Sequence, residues 1–290
     1  MNLAVALKLG RVSNLPTVWS NVLTGMALAG AATVDQRLFI MLVALSLFYV
    51  GGMYLNDAFD HEFDAKARPE RPIPSGQVSA AQVHAFGFGM MAVGLALLSW
   101  VGFGFEPNMQ WRPVAAGTAL AGAIVFYNWH HKNNPLSPLI MGLCRMLVYV
   151  TAAVAVSPVL PQPVIMAAVV LLCYLIGLTY AAKKEHLGRL EQSWPLVFLA
   201  VPVLYGIRLA WLQLDTALPL IVLSAWAVYA VWLLRRRNPG DVPRAVVSLI
   251  AGISLLDALL LAGHGHPVFA SLAAIAFVVT LALQRWISGT

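Results

Sequence analysis

The chain alternates between long apolar stretches and short polar connections along its whole length. Ten of the apolar stretches hold about 17–25 residues, the length that an α-helix needs to cross the hydrocarbon core of a bilayer. They cover residues 15–33, 38–55, 81–105, 113–129, 137–157, 164–182, 194–211, 217–234, 245–263 and 267–287. The pattern therefore predicts an all-α integral membrane protein, a bundle of nine to ten transmembrane helices in a single domain over residues 1–290.

Composition and charge agree with this class. The sequence is 60% hydrophobic and 10% charged, and its mean hydropathy is +0.78, which excludes an ordinary soluble domain. If the N-terminus is cytoplasmic, fourteen of the 18 Lys and Arg residues fall on the cytoplasmic side, three fall outside, and Arg145 lies within a helix. Because positive charge favours the cytoplasm, we expect a multi-pass protein of the cell membrane with both termini inside. The expected surroundings are lipid bilayer, with no nucleic-acid partner.

One polar stretch, residues 56–76, stands out against this apolar background. It reads NDAFDHEFDAKARPERPIPSG and holds three of the chain's seven aspartates within eight residues. Asp57, Asp60 and Asp64 are spaced i, i+3, i+7, which predicts that they share one face of a helix. The prolines that follow cannot continue that helix.

Carboxylates this close repel each other unless a cation lies between them. Mg²⁺ binds one or two carboxylates together with phosphate oxygens of a substrate, and Arg68 and Arg71 on the following loop offer bidentate phosphate contacts. These residues predict a Mg²⁺-bridged phosphate or diphosphate site on the cytoplasmic side. The alternative is a solvated loop with ordinary charges.

The same stretch resembles a motif pair of the UbiA-type intramembrane prenyltransferases. Residues 56–64 match the first aspartate-rich motif of that family, NDxxDxxxD, and residues 68–76 are similar to its RPxRPIPSG extension. The resemblance implies a helical bundle around a central cavity that opens to lipid. It implies Mg²⁺ as cofactor and an isoprenyl diphosphate as donor. The prenyl group would pass to a small-molecule acceptor, and pyrophosphate would be released.

The resemblance also implies roles for single residues around the diphosphate. The metal-binding side chains would be Asn56, Asp60 and Asp64, with Asp57 in support. The basic side chains that hold phosphate or the loop would be Arg68 and Arg71.

The resemblance implies further pocket residues at the polar ends of the first and fourth predicted helices. Arg11 and Asn14 would line the pocket, and Tyr127 and Lys132 are similar to a tyrosine and lysine of the family, with the lysine contacting pyrophosphate. Transfer from an allylic diphosphate passes through a carbocation, which aromatic faces stabilise. The tyrosines expected to supply such faces are Tyr127, Tyr149 and Tyr180.

The chain departs from the family at the place of its second aspartate motif. Residues 180–191 contain no aspartate; Glu185 is the acid at that place, beside Lys183 and Lys184. We hypothesise that Lys183, Lys184 and Arg189 supply fixed positive charge where relatives use a second Mg²⁺. The alternative is that these residues only obey the positive-inside rule. A further departure is the extra C-terminal segment, 267–287.

Two charged residues embedded in apolar segments also need an explanation, because charge inside a membrane is costly. Arg145 either contacts phosphate or acceptor in the pocket or forms a structural ion pair, and Asp257 either pairs with Arg145 or serves the pocket. His130 and His131 could suggest a metal pair, but neighbouring side chains point apart, so a position at the membrane interface is favoured.

The sequence leads to two function hypotheses. The first is an enzyme, a Mg²⁺-dependent prenyltransferase whose acceptor is aromatic or polar and hydroxylated, or, as a variant, a sugar- or cyclitol-like phosphate. The second is a non-catalytic protein of the same fold that binds or transports a polyprenyl-phosphate lipid. Acceptor, prenyl chain length, the number of bound Mg²⁺ ions and oligomeric state are left open by the sequence.

Overall fold

The computed structural model describes residues 1–105, 108–132, 134–183, 194–236, 238–287 and 289. Across these residues the chain forms twelve α-helices and no strand. They are α1 (Leu3–Leu9), α2 (Leu15–Leu28), α3 (Gln36–Phe59), α4 (His61–Ala67), α5 (Ala80–Phe103), α6 (Arg112–His130), α7 (Ser137–Ala153), α8 (Gln162–Lys183), α9 (Ala200–Leu212), α10 (Ala217–Arg236), α11 (Asp241–Ala262) and α12 (Pro267–Leu283). The predicted all-α class is confirmed.

Six segments within the described ranges are long and apolar enough to cross a membrane. Four are the helices α3, α5, α8 and α11, and two join a short 3₁₀ turn to α9 or α10. The helices α7 and α12 are apolar but shorter. The chain is a multi-pass membrane protein, and the expected number of nine to ten spans stays a prediction.

The centre of the bundle is formed by α2 and α11. Every residue from 251 to 262 is buried, and so is every residue from 16 to 28 except Trp19. The added helix α12 packs along both α2 and α11, so it is an integral part of the bundle. At the contact of α2 with α7, Gly25 allows the backbones to approach, because a Cβ there would lie 2.6 Å from the Tyr149 carbonyl oxygen.

The aspartate stretch does not form one continuous helix. α3 ends at Phe59 and α4 begins at His61, with Asp60 between them. The backbone N–H groups of Asp60 and Asp64 still donate to the carbonyls of Asn56 and Asp60, at 3.0 and 2.9 Å, so the helical turn is only slightly interrupted. α4 ends just before Arg68, where Pro69 disfavours helical backbone in the preceding residue.

Candidate prenyl diphosphate site

A cavity of about 300 Å³ lies between α2, α3, α6, α7, α8 and α11. Polar and charged side chains line it near the end of α3: Arg11, Asn14, Arg68, Arg71, Tyr127 and Asn128. Apolar side chains line it further along the same helices, including Val18, Leu45, Phe48, Leu120, Ile124 and Val148. The cavity thus combines a basic end with a water-poor interior, as an amphiphile with an anionic head requires.

Two of the three carboxylates meet on one cation. Arg71 Nη1 lies 2.6 Å from Asp64 Oδ2 and 3.4 Å from Asp57 Oδ1. Arg11 approaches Asp57 from the other side, at 3.2 Å. The Asp64 side chain is 4% exposed and that of Asp57 10%, so these are mostly desolvated ion pairs. Removing one partner from such a pair leaves a charge uncompensated.

Asp60 faces a different basic group at the end of α6. Its carboxylate lies 3.0 Å from Lys132 Nζ and 3.4 Å from His131 Nε2. Burial alone would raise the pKa of Asp60, but the hydrogen bonds and positive charge of His131 and Lys132 outweigh burial and hold its pKa below the ordinary value. Lys132 is also held over the ring of Phe63, 3.6 Å from the centroid.

Arg11 reaches the motif from a tight turn between α1 and α2. Its backbone is left-handed, with φ 42°, a conformation that is unfavourable for a residue with a side chain. From there its guanidinium contacts Met53 Sδ at 3.3 Å and Asn56 Oδ1 at 3.4 Å, besides Asp57. Backbone strain of this kind is found at functional sites, where surrounding contacts maintain it.

Asn56 is oriented by a second asparagine on α6. Its amide nitrogen donates to Asn128 Oδ1 at 3.1 Å, and the Asn128 amide donates in turn to the Gly52 carbonyl at 3.0 Å. Asn128 is buried and lines the cavity. The pair therefore ties α3 to α6 directly beneath the aspartates and leaves the Asn56 oxygen directed toward Arg11.

Residues 18–253 match the model of the UbiA prenyltransferase family. The chain belongs to this family. It is a membrane prenyltransferase that takes a prenyl group from an isoprenyl diphosphate, which confirms the resemblance inferred from residues 56–76.

Curated relatives of this UbiA-family chain include archaeal enzymes. It is 31% identical over 206 residues to digeranylgeranylglyceryl phosphate synthase of Methanopyrus kandleri, and the match covers 69% of each chain. It is 33% identical over 98 residues to the synthase of the same name from Metallosphaera sedula, over 33% of this chain and 34% of that one.

Solved structures share its fold. A structure of digeranylgeranylglyceryl phosphate synthase superimposes with a TM-score of 0.62 at 19% identity, covering 90% of this chain and 98% of the other. A UbiA homolog from Archaeoglobus fulgidus bound to GPP and Mg²⁺ gives a TM-score of 0.52 at 12% identity, covering 97% and 99%. At these identities the likeness shows the fold.

The residues present fit a Mg²⁺ ion, although they do not form a closed cage. Among the residues that the structure describes, no three Asp, Glu, His or Cys side chains converge as a metal site by themselves. Carboxylate and amide oxygens are nevertheless the ligands that Mg²⁺ takes, with the remaining positions left to water and phosphate. Asp57 and Asp64 already converge on one nitrogen of Arg71, so their oxygens can share a single cation.

The structure places the predicted site residues in two groups. Those that line the cavity or contact the aspartates are Arg11, Asn14, Asn56, Asp57, Asp60, Asp64, Arg68, Arg71, Tyr127, Lys132 and Arg145. Tyr149 differs from expectation, because it is fully buried and its hydroxyl donates to Asp257 instead of facing the cavity. Tyr180 is half-buried on α8 and is not among the described residues that line the cavity.

Asn14 lines the cavity, but the C-terminal segment occupies its amide. Its nitrogen donates to the Gly289 carbonyl at 2.8 Å, and its oxygen accepts from Gln284 Nε2 at 3.0 Å. Asn14 therefore links the C-terminal segment to a wall of the pocket.

The predicted basic replacement for the second motif cannot be compared with the structure. Lys184, Glu185 and Arg189 lie outside the described residues, and Lys183 is described only as the last residue of α8. Their proposed roles stay predictions.

Several residues of the cavity and of the aspartate site had no clear signal in the sequence. Asn128 and Tyr49 carry no motif, and His131 was expected at the membrane interface, yet it contacts Asp60 and stacks on Tyr127 with ring centroids 4.9 Å apart. The proximity of His131 to Lys132 in the sequence was the one available hint, because neighbours at a helix end can reach a common partner.

Proposed function

We propose that the chain catalyses Mg²⁺-dependent transfer of a prenyl group from an isoprenyl diphosphate to a hydroxyl group of a small acceptor, with release of pyrophosphate. The observation that carries this proposal is the placement of Asp57, Asp60 and Asp64 with four basic side chains at the polar end of an apolar cavity. The basic side chains are Arg11, Arg68, Arg71 and Lys132.

The arrangement separates the two parts of the donor. The diphosphate is bound among the basic side chains, where guanidinium groups make short charge-assisted hydrogen bonds to phosphate oxygens. The prenyl chain extends between apolar walls such as Leu45, Phe48 and Leu120. Mg²⁺, when bound, supplies positive charge against the negative charge that develops on the leaving pyrophosphate.

The chain's own residues serve the same bond cleavage. The bond between the allylic carbon and the diphosphate oxygen breaks, and its electron pair leaves with the diphosphate, where Arg71 and Lys132 stabilise it. The acceptor hydroxyl oxygen then bonds to the allylic carbon, and the hydroxyl proton leaves with the pyrophosphate. The Tyr127 ring on the cavity wall offers a π-face to the carbocation. The apolar lining excludes water, which would otherwise capture the cation.

The relatives favour one class of acceptor. Those described above carry the name digeranylgeranylglyceryl phosphate synthase, a product in which two prenyl groups are joined to a glyceryl phosphate. We therefore propose a hydroxylated glyceryl phosphate carrying one prenyl chain, in preference to the aromatic acceptor that the sequence also allowed. We further propose that the site faces the cytoplasm, as the distribution of Lys and Arg predicts.

The test is acceptor-dependent pyrophosphate release by purified protein in detergent, with Mg²⁺, prenyl diphosphates of several lengths and a mono-prenylated glyceryl phosphate. We expect release by the wild type and at least a hundredfold loss in Asp60→Ala combined with Asp64→Ala, roughly the effect of losing 2.7 kcal/mol of transition-state stabilisation. The control is Asp215→Ala, an exposed aspartate in the 3₁₀ turn before α10. Equal release by the double variant would contradict the proposal.

A further inference from the structure

Arg145 is a charged residue in the interior of the bundle. It lies eight residues after the start of α7 at Ser137, so it is about 12 Å along the helix from that end. Its side chain is half-buried and lines the cavity. A guanidinium at such a depth is costly unless it has a specific partner.

The contacts of Arg145 do not include a carboxylate. Nη1 donates to Asn21 Oδ1 at 3.0 Å and Nη2 donates to Thr17 Oγ1 at 3.1 Å, and the group lies over the Tyr49 ring, 5.3 Å from its centroid. Within the part of the chain that the structure describes, no ion pair of Arg145 is found within 4.0 Å. These hydrogen bonds use two of the five N–H bonds of the guanidinium, which leaves three donors on a side chain that lines the cavity.

Asp257 on α11 organises this network without neutralising Arg145 directly. Its carboxylate accepts hydrogen bonds from Asn21 Nδ2, at 2.8 Å, and from the Tyr149 hydroxyl. The Asn21 amide therefore lies between the two charges, donating to Asp257 and accepting from Arg145. Asp257 therefore contacts Arg145 only through Asn21, and it is not among the described residues that line the cavity.

Arg145 and the aspartates lie at different depths along the cavity. The Tyr49 ring beneath the guanidinium is eight residues before Asp57 on α3, which corresponds to about 12 Å along the helix. The Tyr49 hydroxyl donates to the Arg11 carbonyl at 3.3 Å, so the tyrosine separates the two positive regions. Arg11, Arg68, Arg71 and Lys132 already surround the place of the donor diphosphate.

We propose that Arg145 binds the anionic group of the acceptor, a phosphate monoester, and thereby selects phosphorylated over neutral acceptors. This inference rests on the proposed function, since it assigns a binding group to that function's second substrate. A guanidinium held by Asn21 and Thr17 in an apolar cavity suits bidentate phosphate recognition. A neutral acceptor in the same place would leave the guanidinium unmatched, which is the basis of strong discrimination between polar ligands.

The experiment measures equilibrium binding in detergent, so that it does not depend on turnover. The probes are a glyceryl phosphate carrying one prenyl ether, its dephosphorylated alcohol, and a prenyl diphosphate. The proteins are the wild type, Arg145→Gln, Arg145→Lys and the control Arg235→Gln, an exposed arginine at the end of α10. Arg145→Lys retains the charge and tests the proposal if Arg145→Gln fails to fold.

We expect the wild type to bind the phosphate at least about tenfold more tightly than the alcohol. Arg145→Gln should lose most of that preference, Arg145→Lys should keep part of it, and affinity for the prenyl diphosphate should change less than threefold. The inference is overturned if the wild type binds phosphate and alcohol equally or binds neither, if the lysine variant keeps the full preference, or if the loss is confined to the diphosphate. Failure of pyrophosphate release with intact, Arg145-dependent phosphate binding would instead refute the catalytic proposal alone.

Discussion

Arg71 lies between two carboxylates, with Nη1 at 2.6 Å from Asp64 and 3.4 Å from Asp57. The loop after α4 thus returns a positive charge to the end of α3, and the acidic and basic parts of the motif form one unit. One nitrogen of the guanidinium makes both contacts, so a single charged group holds the two carboxylates together.

The first prediction concerns this pair. Arg71→Met should lower the free energy of unfolding by about 3–5 kcal/mol, since its removal leaves the buried Asp64 carboxylate without its cation, while Asp57 keeps Arg11. The free energy of unfolding of Arg71→Lys should lie between those of Arg71→Met and the wild type. Thermal melting in detergent without Mg²⁺ measures this, with the exposed Arg235→Met as control. Melting of Arg71→Met at the wild-type temperature would show that the contact is not stabilising.

The second prediction concerns pH and Asp60. The pKa of Asp60 is lowered in the folded protein because the effect of His131 and Lys132 exceeds that of burial. A lowered pKa contributes stability above the unfolded value of about 3.9, and the contribution is lost as pH falls through the folded value. The melting temperature of Lys132→Met should therefore be lower than that of the wild type at pH 7, and this difference in melting temperature should shrink below about pH 4. A difference that is constant with pH would contradict an Asp60 origin.

The third prediction concerns helix packing at Gly25. A Cβ there would lie 2.6 Å from the Tyr149 carbonyl oxygen, whereas a Cβ at Gly122 would meet nothing within 4 Å. Gly25→Ala should destabilise the protein by about 1–3 kcal/mol, because α2 and α7 must separate. Gly122→Ala is the matched control and should be neutral or slightly stabilising, since it only removes backbone freedom. Equal melting temperatures of the two variants would refute the close approach.

The fourth prediction links α12 to the cavity through Gln284 and Asn14. Gln284 Nε2 donates to Asn14 Oδ1 at 3.0 Å. A double-mutant cycle of Asn14→Ala and Gln284→Ala should therefore show a coupling of about 0.5–1.5 kcal/mol in unfolding free energy. Additive effects of the two substitutions would mean that α12 only covers the bundle and does not help to position the pocket wall.

Residues that are close in sequence were predictable. The spacing of Asp57, Asp60 and Asp64, the helix end before Arg68 and the basic loop follow from local rules about periodicity and proline. The break at Asp60 was not predictable, because the interrupted turn keeps nearly the same hydrogen bonds as a continuous helix. The lengths of the apolar stretches were equally sufficient to predict the all-α class, since backbone in lipid must satisfy its own hydrogen bonds.

Contacts between distant helices were not predictable. Nothing near Arg145 in the sequence reveals that Asn21, 124 residues away, separates it from Asp257. Tyr149 looked like an aromatic wall of the pocket, but its hydroxyl donates to Asp257 of α11. Such contacts depend on which face of each helix packs against its neighbour. In helices that are apolar all round, the sequence gives little indication of that face.

The most direct test of the account is metal-dependent binding of a non-reactive prenyl diphosphate analogue. Calorimetric titration of the wild type with Mg²⁺ and with EDTA should show binding that needs the metal. Asp60→Asn and Asp64→Asn should each weaken binding at least about tenfold, a loss of 1.4 kcal/mol or more. Binding of equal strength in EDTA and in both variants would show that the basic side chains alone hold the diphosphate, and would contradict a Mg²⁺ site at these aspartates.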